Sequence, residues 1–441
     1  MRLLYFIFNI FLNYSLRLYF RNIRLVNATK KRFSRTIFVS NHASAFMDPL
    51  IISVLRKPIV FFMTRSDVFT KLSSPFLASA HMIPIYRQAD GGNAVEKNKE
   101  SFRKATEILD NNKSLLIFGE GMTDDVFERR LKPLKKGALR IGFTALEAIN
   151  WEKEIQIVPI GCNYSFPNQM RSDILMAEST PIILNDYKEE YLENPSKTIN
   201  ELNRVLEQKL AGVITHIELD SDFEFHEQVM MLTRKGMSPL CYDQQIPLEK
   251  RWRYSQELAN FLNQFKGDYP AELRNLSTEV QDYFKKLNKQ KITEDVLYRR
   301  MNSKQFLRVI RLVLLFPVAI LGFIHAYTPY FFTKRFVEKS FKREVFWCSV
   351  KMVMTLLSMQ LFNLPLLFVL PGLLSVGFWP VFTYYISLGL IGLIWYNWRK
   401  EFFIFLSDFS NKNHVNEKNL WEERLVLIAR IEQTIPVNIS V

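Results

Sequence analysis

The chain has 441 residues, 48% of them hydrophobic and 37 of them Phe, and a formal charge of +14. That length supports two or three folding units with substantial cores, and the apolar content exceeds what a soluble surface requires, so a membrane is expected. Cys162, Cys241 and Cys348 have neither paired nor metal-ligand spacing, which excludes a disulfide framework and a zinc site and fits a reducing compartment.

From Met1 to Met47 there are eight Lys or Arg and no acid, so this end is drawn to anionic head groups. Nucleic acid is the rival polyanion, but Arg2, Arg17, Arg21 and Arg24 are interleaved with Leu3, Tyr5, Phe6, Phe8 and Phe11, a mixture suited to lipid. Membrane lipid is therefore the expected partner, and nucleic acid is not. Leu3 to Leu16 is uncharged but only 14 residues long, short of the roughly 20 that a spanning helix needs. Residues 1–30 read as an interfacial anchor; the competing reading, a signal peptide, lacks a small-residue cleavage site.

Strand-like and helix-like runs alternate over residues 31–215, the pattern of an α/β domain with a mixed sheet flanked by helices. The strand candidates are Thr36–Val39, Ile59–Thr64, Ile83–Tyr86, Ser114–Phe118 and Ile155–Ile160. Helices are expected over Pro49–Arg56, Val95–Asn111, Gly137–Ala148 and Lys197–Thr215. Residues 216–305 regain charges at helical intervals and read as a helical linker or lid.

The C-terminal part carries the strongest membrane signals. Leu312–Thr333 is uncharged for 22 residues and Met352–Trp398 for 47. The second stretch holds two spans, turning near Pro371-Gly372. The first is interrupted by Pro317, Gly322 and Pro329, and the loop that follows it, Lys334–Lys351, has six basic residues. A full crossing would put that loop opposite the N-terminal domain, against the positive-inside tendency. Residues 312–333 are therefore expected to dip in and return, with the N-terminal α/β domain on the cytoplasmic face. Residues 306–400 make a membrane domain with C-terminal transmembrane helices, and 401–441 a polar tail.

The stretch "SNHASAFMDP" puts His42 six positions before Asp48. Histidine takes a proton near neutral pH, and a carboxylate on its other ring nitrogen fixes the tautomer. Six helical positions amount to about 600°, leaving the two side chains about 120° apart, so they meet only across a turn. Ser44 as a cap and Pro49 in the first turn of a helix would supply it, with His42 left in the loop. Capping that helix is a competing task for Asp48.

Three further blocks follow in order: Ile-Pro-Ile-Tyr-Arg at 83–87, Phe-Gly-Glu-Gly-Met-Thr at 118–123 and Val-Pro-Ile-Gly-Cys-Asn-Tyr at 158–164, with Leu-Lys-Lys-Gly-Ala at 134–138 between the last two. Together with the His-Asp stretch, over about residues 30–185, they resemble the motif blocks of the glycerolipid acyltransferase family. The resemblance implies that His42 deprotonates an acceptor hydroxyl, that Asp48 orients His42, and that the alkoxide attacks the thioester of an acyl-CoA or acyl carrier protein. No cofactor or metal is called for. Asn41 or nearby backbone N–H groups would steady the oxyanion. Arg87 would bind phosphate, Glu120 and Gly121 would hold the glycerol phosphate, and Lys135 would favour an anion at a helix start. Bland readings stand beside these: a strand-end charge for Arg87, a loop acid for Glu120, a helix cap for Thr123, and a surface charge run for Lys135 with Arg129, Arg130, Lys132 and Lys136.

The sequence departs from the common family pattern in having five residues between His42 and Asp48 rather than four, Gly119 where Pro is usual, and Met122-Thr123 where Thr-Arg is frequent. The longer gap is similar to the fungal-type glycerol phosphate acyltransferases. Glu120-Gly121-Met122-Thr123-Asp124-Asp125 looks more like a glycerol 3-phosphate enzyme than a lysophosphatidate enzyme. The acceptor expected is glycerol 3-phosphate, with 1-acylglycerol 3-phosphate as the alternative. An inactive lipid-binding protein on the same fold and a transporter fused to an enzyme domain are the rivals from other classes.

Overall fold

Residues 2–28, 35–55, 60–71, 74–86, 94–302, 305–410 and 414–437 are described from a computed structural model of the chain. Two compact units divide it: Met1–Tyr14, Asn22–Pro167 and Asp173–Ile217 form the first, and Ser15–Arg21, Asn168–Ser172 and Glu218–Val441 the second.

After helix α1 (Arg2–Tyr19) the first unit contains β1 (Asn22–Val26), β2 (Thr36–Ser40), α2 (Met47–Leu55), β3 (Val60–Arg65), α3 (Ser74–Ser79), β4 (Met82–Ile85) and α4 (Ala94–Asp110). It continues with β5 (Ser114–Phe118), α5 (Gly137–Ala148), β6 (Gln156–Tyr164), β7 (Asp173–Glu178), β8 (Ile182–Ile183), α6 (Lys188–Glu193) and α7 (Pro195–Ala211). The strands form one mixed sheet in the order β1-β7-β6-β2-β5-β3-β4, with β8 on β6. β2 lies parallel to both β5 and β6, while β7 and β8 run antiparallel to β6. All five residues of β2 are buried, as expected of a central strand covered on both faces. Ser40 pairs with Phe118 on one side and Ile160 on the other, so the residues that follow Ser40 and Phe118 emerge together at the carboxyl ends of β2 and β5, beside the last residues of β6.

The second unit holds α8 (Asp220–Thr233), α9 (Leu248–Asn263), α10 (Ala271–Lys289), α11 (Glu294–Asn302), α12 (Gln305–Ser340), α13 (Trp347–Asn363), α14 (Leu366–Leu374), α15 (Phe378–Ser410) and α16 (His414–Thr434). Among the described residues three helical stretches, Phe306–Ser340, Glu344–Asn363 and Phe378–Leu406, are long and apolar enough to cross a membrane. The expected dip at 312–333 does not form, because α12 runs unbroken through Pro317 and Pro329. Proline removes the N–H that would bond the carbonyl four residues back. For Pro329 that carbonyl belongs to His325, and Asn363 Nδ2 donates to it at 3.0 Å. The same asparagine accepts from His325 Nδ1 at 2.7 Å, and the Tyr384 hydroxyl meets Nε2 at 2.8 Å, so polar side chains bridge α12, α13 and α15.

The last residues are not a polar tail. Leu420, Leu427, Ile431 and Ile435 of α16 and its C-terminal flank are buried in one core with Phe225, Val229, Leu258, Leu276 and Tyr283. Arg424, also buried, donates to Glu294 at 2.6 Å and to the Leu232 carbonyl at 2.8 Å.

Candidate active site

His42 and Asp48 meet across a tight turn. The Met47 N–H donates to the Ser44 carbonyl at 2.8 Å and Ala45 takes a positive φ of 40°, which folds the chain back so that Asp48 enters the first turn of α2 beneath the histidine. His42 Nδ1 lies 2.9 Å from Asp48 Oδ2, which also accepts from the Ser44 N–H at 2.9 Å. Asp48 Oδ1 accepts from the Tyr164 hydroxyl at 2.6 Å. The carboxylate thus reaches back to the loop as well as holding the histidine. Its side chain is fully buried, while that of His42 is 20% exposed. A carboxylate can only accept, so Nδ1 carries the proton and Nε2 is left with its lone pair, the arrangement of a general base. The imidazole stacks on Phe118 with ring centroids 4.1 Å apart, which fixes its plane.

Asn41 extends the strand pairing beyond Ser40. Its Oδ1 accepts from the Cys162 N–H at 2.8 Å and its Nδ2 donates to the Cys162 carbonyl at 3.1 Å, leaving one Nδ2 hydrogen uncommitted. Burial, and secondarily the nearby Asp48 charge, pushes the Cys162 thiol well above its ordinary range, so it stays un-ionised and is a poor nucleophile.

On the other side of β2, Glu120 is buried and its carboxylate accepts the His42 backbone N–H at 3.1 Å and the Lys132 N–H at 3.4 Å. Burial pushes its pKa up to about 7, against the lowering effect of those two N–H groups and the Lys132 charge. Gly121 has φ +73°, a backbone conformation that side chains rarely adopt, and the Lys135 side chain lies across it, with Nζ 2.7 Å from where a β-carbon would stand. Among the described residues Lys135 makes no ion pair. It stands just ahead of α5, whose N-cap Lys136 provides no side-chain hydrogen bond. Thr123 is buried in the same segment, and Lys132 is paired with Asp124 at 2.5 Å. Arg87 lies outside the described residues.

Two residues of this site escaped the sequence reading. Arg129, taken for part of a surface run, is buried and donates to the carbonyls of Tyr164 and Ser165 at 2.6 and 2.9 Å. It anchors the end of β6 and with it the tyrosine that holds Asp48. The hint in the sequence was Tyr164 closing an apolar strand, since a buried phenol requires a partner.

The arrangement places an imidazole whose Nε2 keeps its lone pair beside a glycine-containing turn and a lysine that, among the described residues, makes no ion pair. Residues 22–163 match the family model described as Acyltransferase. This part of the chain is therefore similar to that family. A search of solved structures finds similarity to the crystal structure of the 1-acyl-sn-glycerophosphate (LPA) acyltransferase, PlsC, from Thermotoga maritima, at 14% identity and a TM-score of 0.30, over 45% of this chain and 77% of that one. No curated protein matches.

Proposed function

We propose that the protein is a membrane-bound O-acyltransferase that moves a fatty acyl group from acyl-CoA or acyl carrier protein to a hydroxyl of glycerol 3-phosphate, in phospholipid biosynthesis. The observation that carries this reading is the His42–Asp48 pair at 2.9 Å, with the acid fully buried and the base partly exposed. His42 Nε2 takes the proton of the acceptor hydroxyl as the oxygen attacks the thioester carbonyl. The tetrahedral oxyanion collapses, the C–S bond breaks, and the proton on His42 passes to the departing thiolate. Asn41 and loop N–H groups are the candidate oxyanion donors, while Lys135, Arg87 and the turn at Gly121 and Thr123 would receive the acceptor phosphate. Glu120, engaged with two backbone N–H groups, would shape that turn. The free base of His42 and the free cation of Lys135 weigh against an inactive lipid-binding protein on this fold.

Transfer from one acyl-CoA, with glycerol 3-phosphate and lysophosphatidate competing at equal concentration, tests both the class and the acceptor. His42→Ala is expected to lower kcat by a factor of about 100 to 10,000 while the protein stays folded. A variant as active as the parent would make His42 structural. A higher kcat/KM for lysophosphatidate would replace the acceptor and keep the reaction.

A further inference from the structure

The second unit encloses a cavity of about 460 Å3, within the size range of small-ligand sites. Its walls come from α12, α13 and α15, closed by the last turns of α1 and by residues 168–170. On α13 the wall is Trp347, Cys348, Lys351, Met352, Thr355, Leu356 and Met359, one helical face that is largely apolar around a single cation. On α15 the wall runs from Gly389, Gly392 and Leu393 to Tyr396 and Arg399, with the cation last.

These two faces are opposed. A β-carbon on Gly392 would lie 3.9 Å from Met359 Sδ and 3.2 Å from Ala326 Cβ, and the Tyr385 hydroxyl donates to the Gln360 carbonyl at 2.8 Å. Lys351 pairs with Glu338 near the end of α12, whereas Trp398, the neighbour of Arg399, donates to the Leu312 carbonyl near its start at 2.8 Å, so the two cations stand at opposite ends of the cavity with apolar residues between them. Glu344 is the one acid on the wall. Lys351 is neutralised by Glu338 at 2.6 Å, whereas Arg399, among the described residues, makes no ion pair and lies over the Trp395 ring at 5.4 Å.

An apolar slot with an unneutralised guanidinium at one end, built from helices apolar enough to lie in a bilayer, suits an amphiphile with a chain and an anion. We propose that this cavity binds one acyl chain of a phosphate lipid, with the chain between α13 and α15 and the phosphate on Arg399. The proposal holds whether or not His42 is a base.

Trp347 and Trp395 line the cavity, and they allow a direct test. Full-length protein in detergent, without acyl donor, is titrated with lysophosphatidate carrying a dibrominated chain, whose bromines quench tryptophan on contact. Saturable quenching is expected, reduced in the Trp347→Phe, Trp395→Phe double variant, blocked by Thr355→Phe, and roughly tenfold weaker in affinity with Arg399→Gln, which removes a charge-assisted contact without altering the apolar wall. Displacement by phosphatidylglycerol as well as by lysophosphatidate would identify a bilayer phosphodiester as the occupant, and displacement by lysophosphatidate alone a phosphomonoester. Quenching that never saturates, that is equally strong for the same chain on phosphocholine, or that is unchanged by Thr355→Phe and Arg399→Gln would overturn the proposal.

Discussion

Asp48 has no contact with solvent, and its two oxygens take hydrogen bonds from His42, the Ser44 backbone and Tyr164. Tyr164→Phe removes one of these and leaves Oδ1 without its phenol. The expected cost is about 1 to 3 kcal/mol of stability, with a fall in kcat of roughly tenfold and little change in KM, because the histidine is less firmly held while the acceptor site is untouched. Thermal melts and steady-state kinetics on the same preparation would read both, and parental values in each would mean that the hydroxyl is idle. Glu120 behaves differently. Burial raises it from 4.5 to about 7, so the folded state binds the proton more tightly than the unfolded chain does. Its contribution is fully present below pH 4.5, is lost as pH rises through about 7, and is on the order of 3 kcal/mol. Glu120→Gln should flatten that part of the stability profile. Parallel profiles for parent and variant between pH 5 and about 8 would contradict it.

The elements differ in how far their own residues announce them. β5 and α5 have the bounds that pattern alone suggests, and β2 runs one residue longer, because continuous apolar runs and one amphipathic face dictate them locally. β7 reads Asp-Ile-Leu-Met-Ala-Glu, mostly helix formers, and becomes a strand only because β1 and β6 offer edges on both sides. β1 was hidden in a basic segment that looked like membrane anchor. The site divides in the same way: His42 and Asp48 are six residues apart and legible, whereas Tyr164 and Arg129 acquire their tasks from strands that only the folded sheet brings together. α16 was missed because charged residues recur along its whole length, although Leu427 and Ile431 lie on one buried face. Leu427→Ala should destabilise the second unit by about 2 to 5 kcal/mol, measured by denaturant unfolding. A change below about 0.5 kcal/mol would return this segment to the status of a loosely attached tail.

At the scale of the whole molecule, the acyltransferase match covers residues 22–163, and the second unit supplies most of the remaining chain. Within that unit α8 to α11 precede the apolar helices and α16 follows them, yet all share a core. Parity follows from this. A chain that leaves a water-facing bundle at Asn302 and rejoins the same bundle at His414 crosses any bilayer in between an even number of times. Three candidate helices therefore cannot supply three complete crossings, and at least one of the three must begin and end on the same side. Single cysteines at Lys289 and Glu422, both on the exposed surface of that bundle, should react with an impermeant reagent from the same side of sealed vesicles; labelling from opposite sides would refute the count.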